Sequence, residues 1–409
     1  MLTLVVAGEA IFMLPFVLAR VFRPTLLAVF EINNFQLGTF FSFYGVVAMV
    51  AYLFGGPLAD RFAPAKLMSV ALFTTGLGGL YMSTIPNPAG MKLLYGFWGV
   101  TTILLFWAAM IKTTRKLGGK DIQGLTFGLL DGGRGLVSAI IGSSAVFLLA
   151  WFLPVEVETA TLEQRTEAFT HVIQFISVLV LLVSVAVWFN LHELDSSDEL
   201  RTEALSIDGL RQVLKMPNVW VQSLIIVCAY SGYKVTDDFS LLAKEVLLFD
   251  EVDAAKVGTL SLWLRPVAAI SAGFIADKVS ASLMLFVCFF FTLLGGLLIG
   301  FGLADASITW LVFIAIVSTC LGVFALRGLY FAIMQEARIP LNVTGAAVGI
   351  ASIIGYTPDV YMGLLMGTLL DNSPGATGHQ HVFLLLAGFS TAGLMATVIF
   401  RKITSEKHD

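Results

Sequence analysis

Apolar runs of bilayer-crossing length follow one another along almost the whole chain, and this restricts the fold more than any motif does. A spanning helix needs roughly 20 mostly apolar residues. Lipid offers the backbone no hydrogen-bond partner, so each run must satisfy its own amides and carbonyls as a helix. A barrel would show alternating strands of about ten residues, and the sequence has no such alternation. Composition agrees: 57% of residues are hydrophobic and 13% charged, with a mean hydropathy of +0.88. Soluble domains have about 45–50% apolar and about 25% charged residues.

The runs predict twelve spans near 3–30, 34–58, 65–85, 91–116, 124–153, 169–192, 217–245, 255–276, 281–303, 308–334, 344–370 and 381–401. Turn residues or charges mark the breaks, as at Pro86-Asn87-Pro88, Gly118-Gly119-Lys120-Asp121 and Asp371-Asn372-Ser373-Pro374-Gly375. The longest polar stretch, 193–215, carries Glu193, Asp195, Asp198, Glu199, Arg201 and Glu203. It lies near mid-chain and divides the sequence into units 1–192 and 216–409, with 193–215 as a cytoplasmic linker.

Basic residues orient the spans. With the N-terminus inside, thirteen Lys and Arg fall in inner segments, four (Lys92, Arg165, Lys244, Lys256) in outer segments and the other seven of 24 within spans. Both termini are therefore expected in the cytoplasm. The first run begins at once and is too long for a signal h-region, so no cleavable leader is expected. Cys228, Cys288 and Cys320 lie inside apolar runs and read as small buried hydrophobes. His379 and His381 fall in a predicted loop with no metal-ligand spacing.

Gly56-Pro57-Leu58-Ala59-Asp60-Arg61 recurs as Gly273-Phe274-Ile275-Ala276-Asp277-Lys278, an offset of 217. Both copies end an even-numbered span at the inner face. The glycine suits close helix approach, and the acid–base pair suits a short loop meeting water. On these residues the chain resembles the major facilitator superfamily, whose loop between spans 2 and 3 reads G-x-L-A-D-R. The later Gly and Arg positions of that loop are here Ala63, Pro64 and Ala65, with Lys66 basic. The resemblance implies an all-α membrane protein: twelve transmembrane helices in two pseudo-symmetric six-helix bundles that rock about a central cavity. It also implies gating by the two loops, through Gly56, Asp60, Arg61, Gly273, Asp277 and Lys278.

Charges within the spans locate the candidate site. Arg20, Asp131, Arg134, Lys234, Asp237, Asp238, Arg265 and Asp359 lie near mid-depth. Facing lipid, they would together cost on the order of 20 kcal/mol, more than a domain's whole stability of about 5–15 kcal/mol. They must face a cavity or one another. Asp131 and Arg134 are spaced i,i+3, and Lys234 precedes Asp237 and Asp238 by three and four, so intrahelical pairs are one reading of each group. A coupling site, where a proton or a substrate charge exchanges with the pair, is the other. Arg20 and Arg265 have no acid on their own helical face. Each needs a carboxylate from another helix or an anion from solution, which a guanidinium grips in bidentate fashion. Asp359, after Pro358, also lacks a local partner and reads as a mate for Arg265 or Lys234, or as a proton carrier. Tyr44, Trp107, Tyr233, Trp263, Tyr330 and Tyr356 are candidate cavity walls. Glu9 and Arg327, toward the inner ends of their spans, read first as structural pairs and second as a gate, and Gly345, Gly349 and Gly355 suit close packing of span 11.

The stretch Phe16 to Arg61 is similar to the opening of the organophosphate:phosphate antiporter branch. There Arg20 falls on the phosphate-binding arginine of span 1. That branch's second substrate arginine follows a Pro-x-Val-Trp start. Here Pro217-Asn218-Val219-Trp220 leads to Tyr233-Lys234, with Lys in place of Arg. Asp131-Gly132-Gly133-Arg134-Gly135 and Gly355-Tyr356-Thr357-Pro358-Asp359 look like a bacterial branch of sugar-acid and nitrate/nitrite porters. The Gly-Trp-Gly-Asn segment of nitrate porters is absent from span 5, which disfavours nitrate.

Together these features predict a secondary active transporter of a small organic anion (sugar acid, organophosphate, sulfonate or carboxylate) in a bacterial inner membrane. Its expected partners are that solute, lipid and, as coupling ion, the proton. It is expected to be a monomer without cofactor, metal or nucleic-acid partner. Substrate contacts are assigned to Arg20, Lys234, Arg265, Arg134, Tyr233 and Tyr356, with Arg20 and Lys234 clamping the anion from opposite halves. Proton coupling is assigned to Asp237, Asp238, Asp359 and Asp131; anion exchange would need none. No G-x-x-x-x-G-K-[ST] loop offers ATP binding, and no Ser/His/Asp constellation at mid-depth suggests an enzyme. The alternatives are a membrane-embedded sensor of the same fold, docking through 193–215, and a carrier of a zwitterionic or cationic solute.

Overall fold

A computed structural model describes residues 1–118, 123–191, 207–337, 339 and 344–405, without the side chains of 60, 123–125, 207–210, 335 and 344–346. The spans are α1 Leu2–Val21, α2 Asn34–Arg61, α3 Pro64–Met82, α4 Pro88–Gly118, α5 Gln123–Phe152 and α6 Leu162–Asn190. After the short amphipathic helix Ile207–Leu214 come α7 Pro217–Val235, α8 Glu251–Ala276, α9 Ala281–Gly300, α10 Thr309–Leu329, α11 Ala347–Asn372 and α12 Ala376–Ser405. Most of the 193–215 stretch, up to residue 206, lies outside the described residues.

Local chemistry sets the starts. Asn33 with Gln36 and Thr161 with Gln164 form reciprocal capping boxes for α2 and α6. Asn87, Asp250 and Ser280 cap α4, α8 and α9 through side-chain oxygens. Large apolar side chains such as Trp151, Phe147, Phe274 and Trp310 remain exposed on the outer faces, where hydrocarbon rather than water must surround them.

The halves repeat one packing scheme. Helix α3 packs on α6 as α9 packs on α12, and α2 on α4 as α8 on α10. Between halves, α2 lies on α11 as α8 lies on α5. One buried apolar cluster unites α1–α6 with Val252, Ala255 and Leu262 of α8. Two others are built from residues 213 onward.

Three spans are broken where the sequence reading has them continuous. Helix α1 ends at Val21 and resumes as Arg23–Val29 after Phe22. Helix α7 passes through a tight 3₁₀ turn, Thr236–Asp238, into Phe239–Glu245. Helix α11 is two pieces, Thr344–Gly355 and Pro358–Asn372. Pro358 starts the second piece because it has no amide to donate and disfavours helical backbone before it.

The halves meet most tightly away from the termini. A Cβ at Gly38 of α2 would overlap the Gly363 carbonyl of α11, and one at Gly45 would lie 2.7 Å from the Asp359 carbonyl. Such glycines let two helix backbones touch. At the terminal end, Leu53 and Phe54 of α2 and Phe274 and Ile275 of α8 are exposed.

Candidate functional site

A central cavity of about 70 Å³ lies between the halves. Ligand pockets hold about 300–1,000 Å³, so this conformation is contracted around its site. Helix α1 reaches the cavity through a wide π-helical turn, Met13–Val17, that contains Pro15. A wider turn accommodates the proline's missing N–H and bulky ring. Phe16 and Val17 of this turn form part of the wall. A second π-helical stretch, Val100–Trp107 of α4, supplies Ile103 and Trp107.

Tyr230, Tyr233 and Lys234 share one face of α7 at i, i+3 and i+4, and all three line the cavity. Lys234 Nζ lies 2.8 Å from Asp359 Oδ1 and 4.6 Å from the Phe16 ring centre. The Tyr230 hydroxyl donates to the same carboxylate at 3.1 and 3.2 Å. Asp359 sits in the first turn behind Pro358, where the helix N-terminus favours negative charge. The intrahelical pairing expected of Lys234 with Asp237 or Asp238 is corrected: the α-helix stops at Val235, and the 3₁₀ turn carries both acids elsewhere.

Toward the terminal end, two arginines share two carboxylates. Arg265 Nη1 is 3.2 Å from Glu9 Oε1, and its Nη2 is 3.3 Å from Asp131 Oδ1. Arg134 Nε lies 3.3 Å from Glu9 Oε2 without hydrogen-bond alignment, and its Nη1 is 3.9 Å from Asp131. Helices α1 and α5 of one half are thereby tied to α8 of the other. Arg265, expected to lack a local acid, draws both carboxylates from across the interface.

Arg20 is placed differently from the sequence expectation. It does not line the cavity. Its Nε bonds Asp237 Oδ1 at 2.6 Å, with both side chains buried, and its guanidinium carbon lies 4.4 Å from the centre of the Tyr233 ring. A clamp formed by Arg20 and Lys234 as two free cations is corrected, because each is held by a carboxylate from another helix.

The cation facing the cavity without an ion pair is Arg327 of α10, alone among the lining cations of the described residues. Its guanidinium carbon lies over the Tyr233 ring, 3.8 Å from the centre, and its Nη1 is buried without a hydrogen-bond partner. Sequence reading reduced it to a structural pair because it lies in the last turn of its helix. Tyr52 and Tyr230, also missed, line the wall beside it. The Tyr230–Tyr233–Lys234 spacing was the available signal for the latter.

Of the other aromatic candidates, Tyr44, Trp107, Tyr233 and Tyr356 line the cavity. Tyr330 stands behind it, its hydroxyl 3.2 Å from that of Tyr356. Trp263 points away, half-exposed and bonded to Ser143 at 3.0 Å. His379, expected in a loop, is fully buried in the first turn of α12. Gly375, at φ +74°, completes the turn, and the helix starts immediately after it. The imidazole lies between Asp238 (Nδ1–Oδ2 2.7 Å) and Glu245 (Nε2–Oε2 3.2 Å), so Asp238 stands outside the cavity.

At the loop repeat, Arg61, Asp277 and Lys278 are exposed, and the Asp60 side chain lies outside the described residues. The close approach expected at Gly56 and Gly273 is corrected: a Cβ at either would meet nothing within 4 Å. Gly349 is likewise open, whereas Gly355 packs on Ile226, and Gly345 lies outside the described side chains. The tight seam lies at the opposite end, where α2 and α11 touch.

The sequence pattern of the Major Facilitator Superfamily matches residues 5–358. The chain is similar to Inner membrane protein YihN of Escherichia coli (strain K12), at 28% identity over 414 residues, covering 99% of this chain and 95% of that protein. It is also similar to Inner membrane protein YqcE of the same organism, at 26% identity over 382 residues, covering 91% and 87%. Among solved structures, a variant of nucleoside transporter NupG superposes with a TM-score of 0.71 at 14% identity, over 98% of this chain and 100% of that one. The E. coli fucose:proton symporter FucP superposes at 0.61 and 14% identity, over 98% of each.

Proposed function

The chain belongs to the Major Facilitator Superfamily and is an integral membrane transporter, and from that premise we propose that its substrate is a small organic anion carried by rocker-switch alternating access. One observation carries the reading: Arg327 faces the cavity with a buried Nη1 and no carboxylate within ion-pair distance among the described residues. A guanidinium in a low-dielectric site seeks an anion, and its planar fork suits carboxylate, sulfonate or phosphate oxygens. Lys234, Arg265 and Arg134 enter this reading as cations already held by Asp359, Glu9 and Asp131. Anion arrival would loosen those pairs, and release of Arg265 from Glu9 and Asp131 would let the halves move. Tyr233 and Tyr356 would pack on the body of the solute.

Proton coupling falls on Asp131, whose partner Arg265 belongs to the other half and parts from it as the halves separate, and on Asp359, which a proton would release from Lys234 within the second half. Asp237 and Asp238 serve as structural ties at the far end. The units 1–192 and 216–409 would rock about the seam, with both termini in the cytoplasm and the protein in a bacterial inner membrane.

The experiment is a thermal-unfolding screen of the purified full chain against small carboxylates, sulfonates and phosphate esters. Accumulation of any hit in proteoliposomes then follows. A ligand at 100 times its Kd should add about 2.7 kcal/mol of stability, and Arg327→Gln should cut that gain to about 0.4–1.4 kcal/mol. Binding without accumulation would indicate a sensor. Stabilisation by cations alone, unaffected by Arg327→Gln, would end the anion reading.

A further inference from the structure

We propose that the cavity selects monovalent anions over divalent ones of the same size and shape. This rests on the anion reading above and adds valence to it. The charged lining residues are the cations Arg134, Lys234, Arg265 and Arg327 and the carboxylates Glu9 and Asp359. Asp131 lies outside the lining with its side chain part-exposed, and is bonded to Arg265. Four cations thus face three carboxylates. The pairings use every carboxylate: Asp359 on Lys234, and Glu9 with Asp131 on Arg265 and Arg134. One positive charge remains, and Arg327 carries it. The nearby Arg20–Asp237 pair is neutral as a unit, and Arg23, which hydrogen-bonds Asn34 and the Asp237 carbonyl, stands outside the cavity lining.

A ligand with one negative charge makes this assembly neutral. A second negative charge has two options in a cavity of this size. It stays uncompensated between tyrosine rings, or it takes Lys234 and leaves Asp359 buried without its ion-pair partner, or it takes Arg265 and leaves Glu9 and Asp131 to Arg134 alone. Removing one partner of a buried ion pair is strongly unfavourable, so either option penalises the dianion. The distinction lies in ionic charge, and carboxylate, sulfonate and phosphodiester share the favoured class.

The test measures affinities of the purified full chain in lipid nanodiscs at about pH 7.5, where a phosphate monoester is mostly dianionic. Two matched pairs serve as probes: gluconate against glucarate, and dimethyl phosphate against methyl phosphate. The expected result is that the monoanion of each pair binds more tightly by about tenfold or more, one uncompensated charge being worth at least that factor. Asp359→Asn adds one unit of positive charge and should narrow or reverse the preference. Glu9→Gln does the same at the other end of the cavity and serves if the first variant does not fold. Dianions binding as well as or better than monoanions would overturn the valence rule and leave the anion reading standing. Preferences unmoved in both variants would also overturn the rule. Binding by no member of either pair, with no anion stabilising the protein in the wider screen, would remove the anion reading itself.

Discussion

Arg20 and Asp237 bond at 2.6 Å although 217 residues separate them, the same interval that separates the two Gly-x-x-Ala-Asp-basic segments. The pair therefore joins equivalent positions of the two halves, where α1 meets the end of α7. Ser240 Oγ donates to the Arg20 carbonyl at 2.8 Å, and Arg23 Nη1 donates to the Asp237 carbonyl at 3.2 Å. The contact is buried, polar and shared between halves, which suits a latch at the closed end.

Breaking this latch from one side should cost about 3–5 kcal/mol, because the remaining charge is buried and unpaired. Arg20→Gln and Asp237→Asn should each lower the unfolding midpoint in micelles. The double variant should lose less than the sum of the two. Strict additivity in that double-mutant cycle would show that the pair contributes no coupling.

Gly363→Val should pry α2 from α11, since its neighbours across the seam are the backbone of Gly38 and the Phe41 Cβ, at 3.1–3.2 Å from an added Cβ. The closed end should then open. A cysteine placed at buried Tyr44 would react faster with a membrane-impermeant maleimide added on the side opposite the termini. Equal labelling rates with and without the valine would argue against the seam as the closing contact.

Arg327→Gln should lower anion affinity about 10- to 100-fold while leaving the unfolding midpoint near that of the parent. Charge-assisted hydrogen bonds contribute about 1.5–3 kcal/mol, and no carboxylate is orphaned by the change. Arg327→Lys should recover only part of the loss, because a point charge lacks the planar fork. Titration calorimetry with a hit from the screen reads both variants. A large drop in midpoint for the glutamine variant would assign Arg327 to structure.

His379→Ala should destabilise the far end of the second half by several kcal/mol, since it strips the partner from buried Asp238. His379→Gln keeps a side-chain amide that can donate to Asp238, and should recover part of the loss. Thermal unfolding of the two variants beside the parent decides the matter, and midpoints equal to the parent's would show that the hydrogen bonds are dispensable.

The sequence by itself determined that the chain spans a membrane as helices, that its halves are related at an offset of 217, and which buried charges must find partners. These follow from local, one-dimensional physics: the length of apolar runs, the backbone's need for hydrogen bonds in lipid, and the cost of charge away from water. Helix breaks at Pro358 and Thr236–Asp238 were only partly legible. A proline signals its own break, whereas the turn at 236–238 is held by what its side chains meet elsewhere in the fold. Only the tertiary structure decided that Lys234 binds Asp359, that Arg20 binds Asp237, that His379 lies buried between two acids, and that Arg327 is left over. A charge's partner depends on which helices stand side by side, and no spacing along the chain records that.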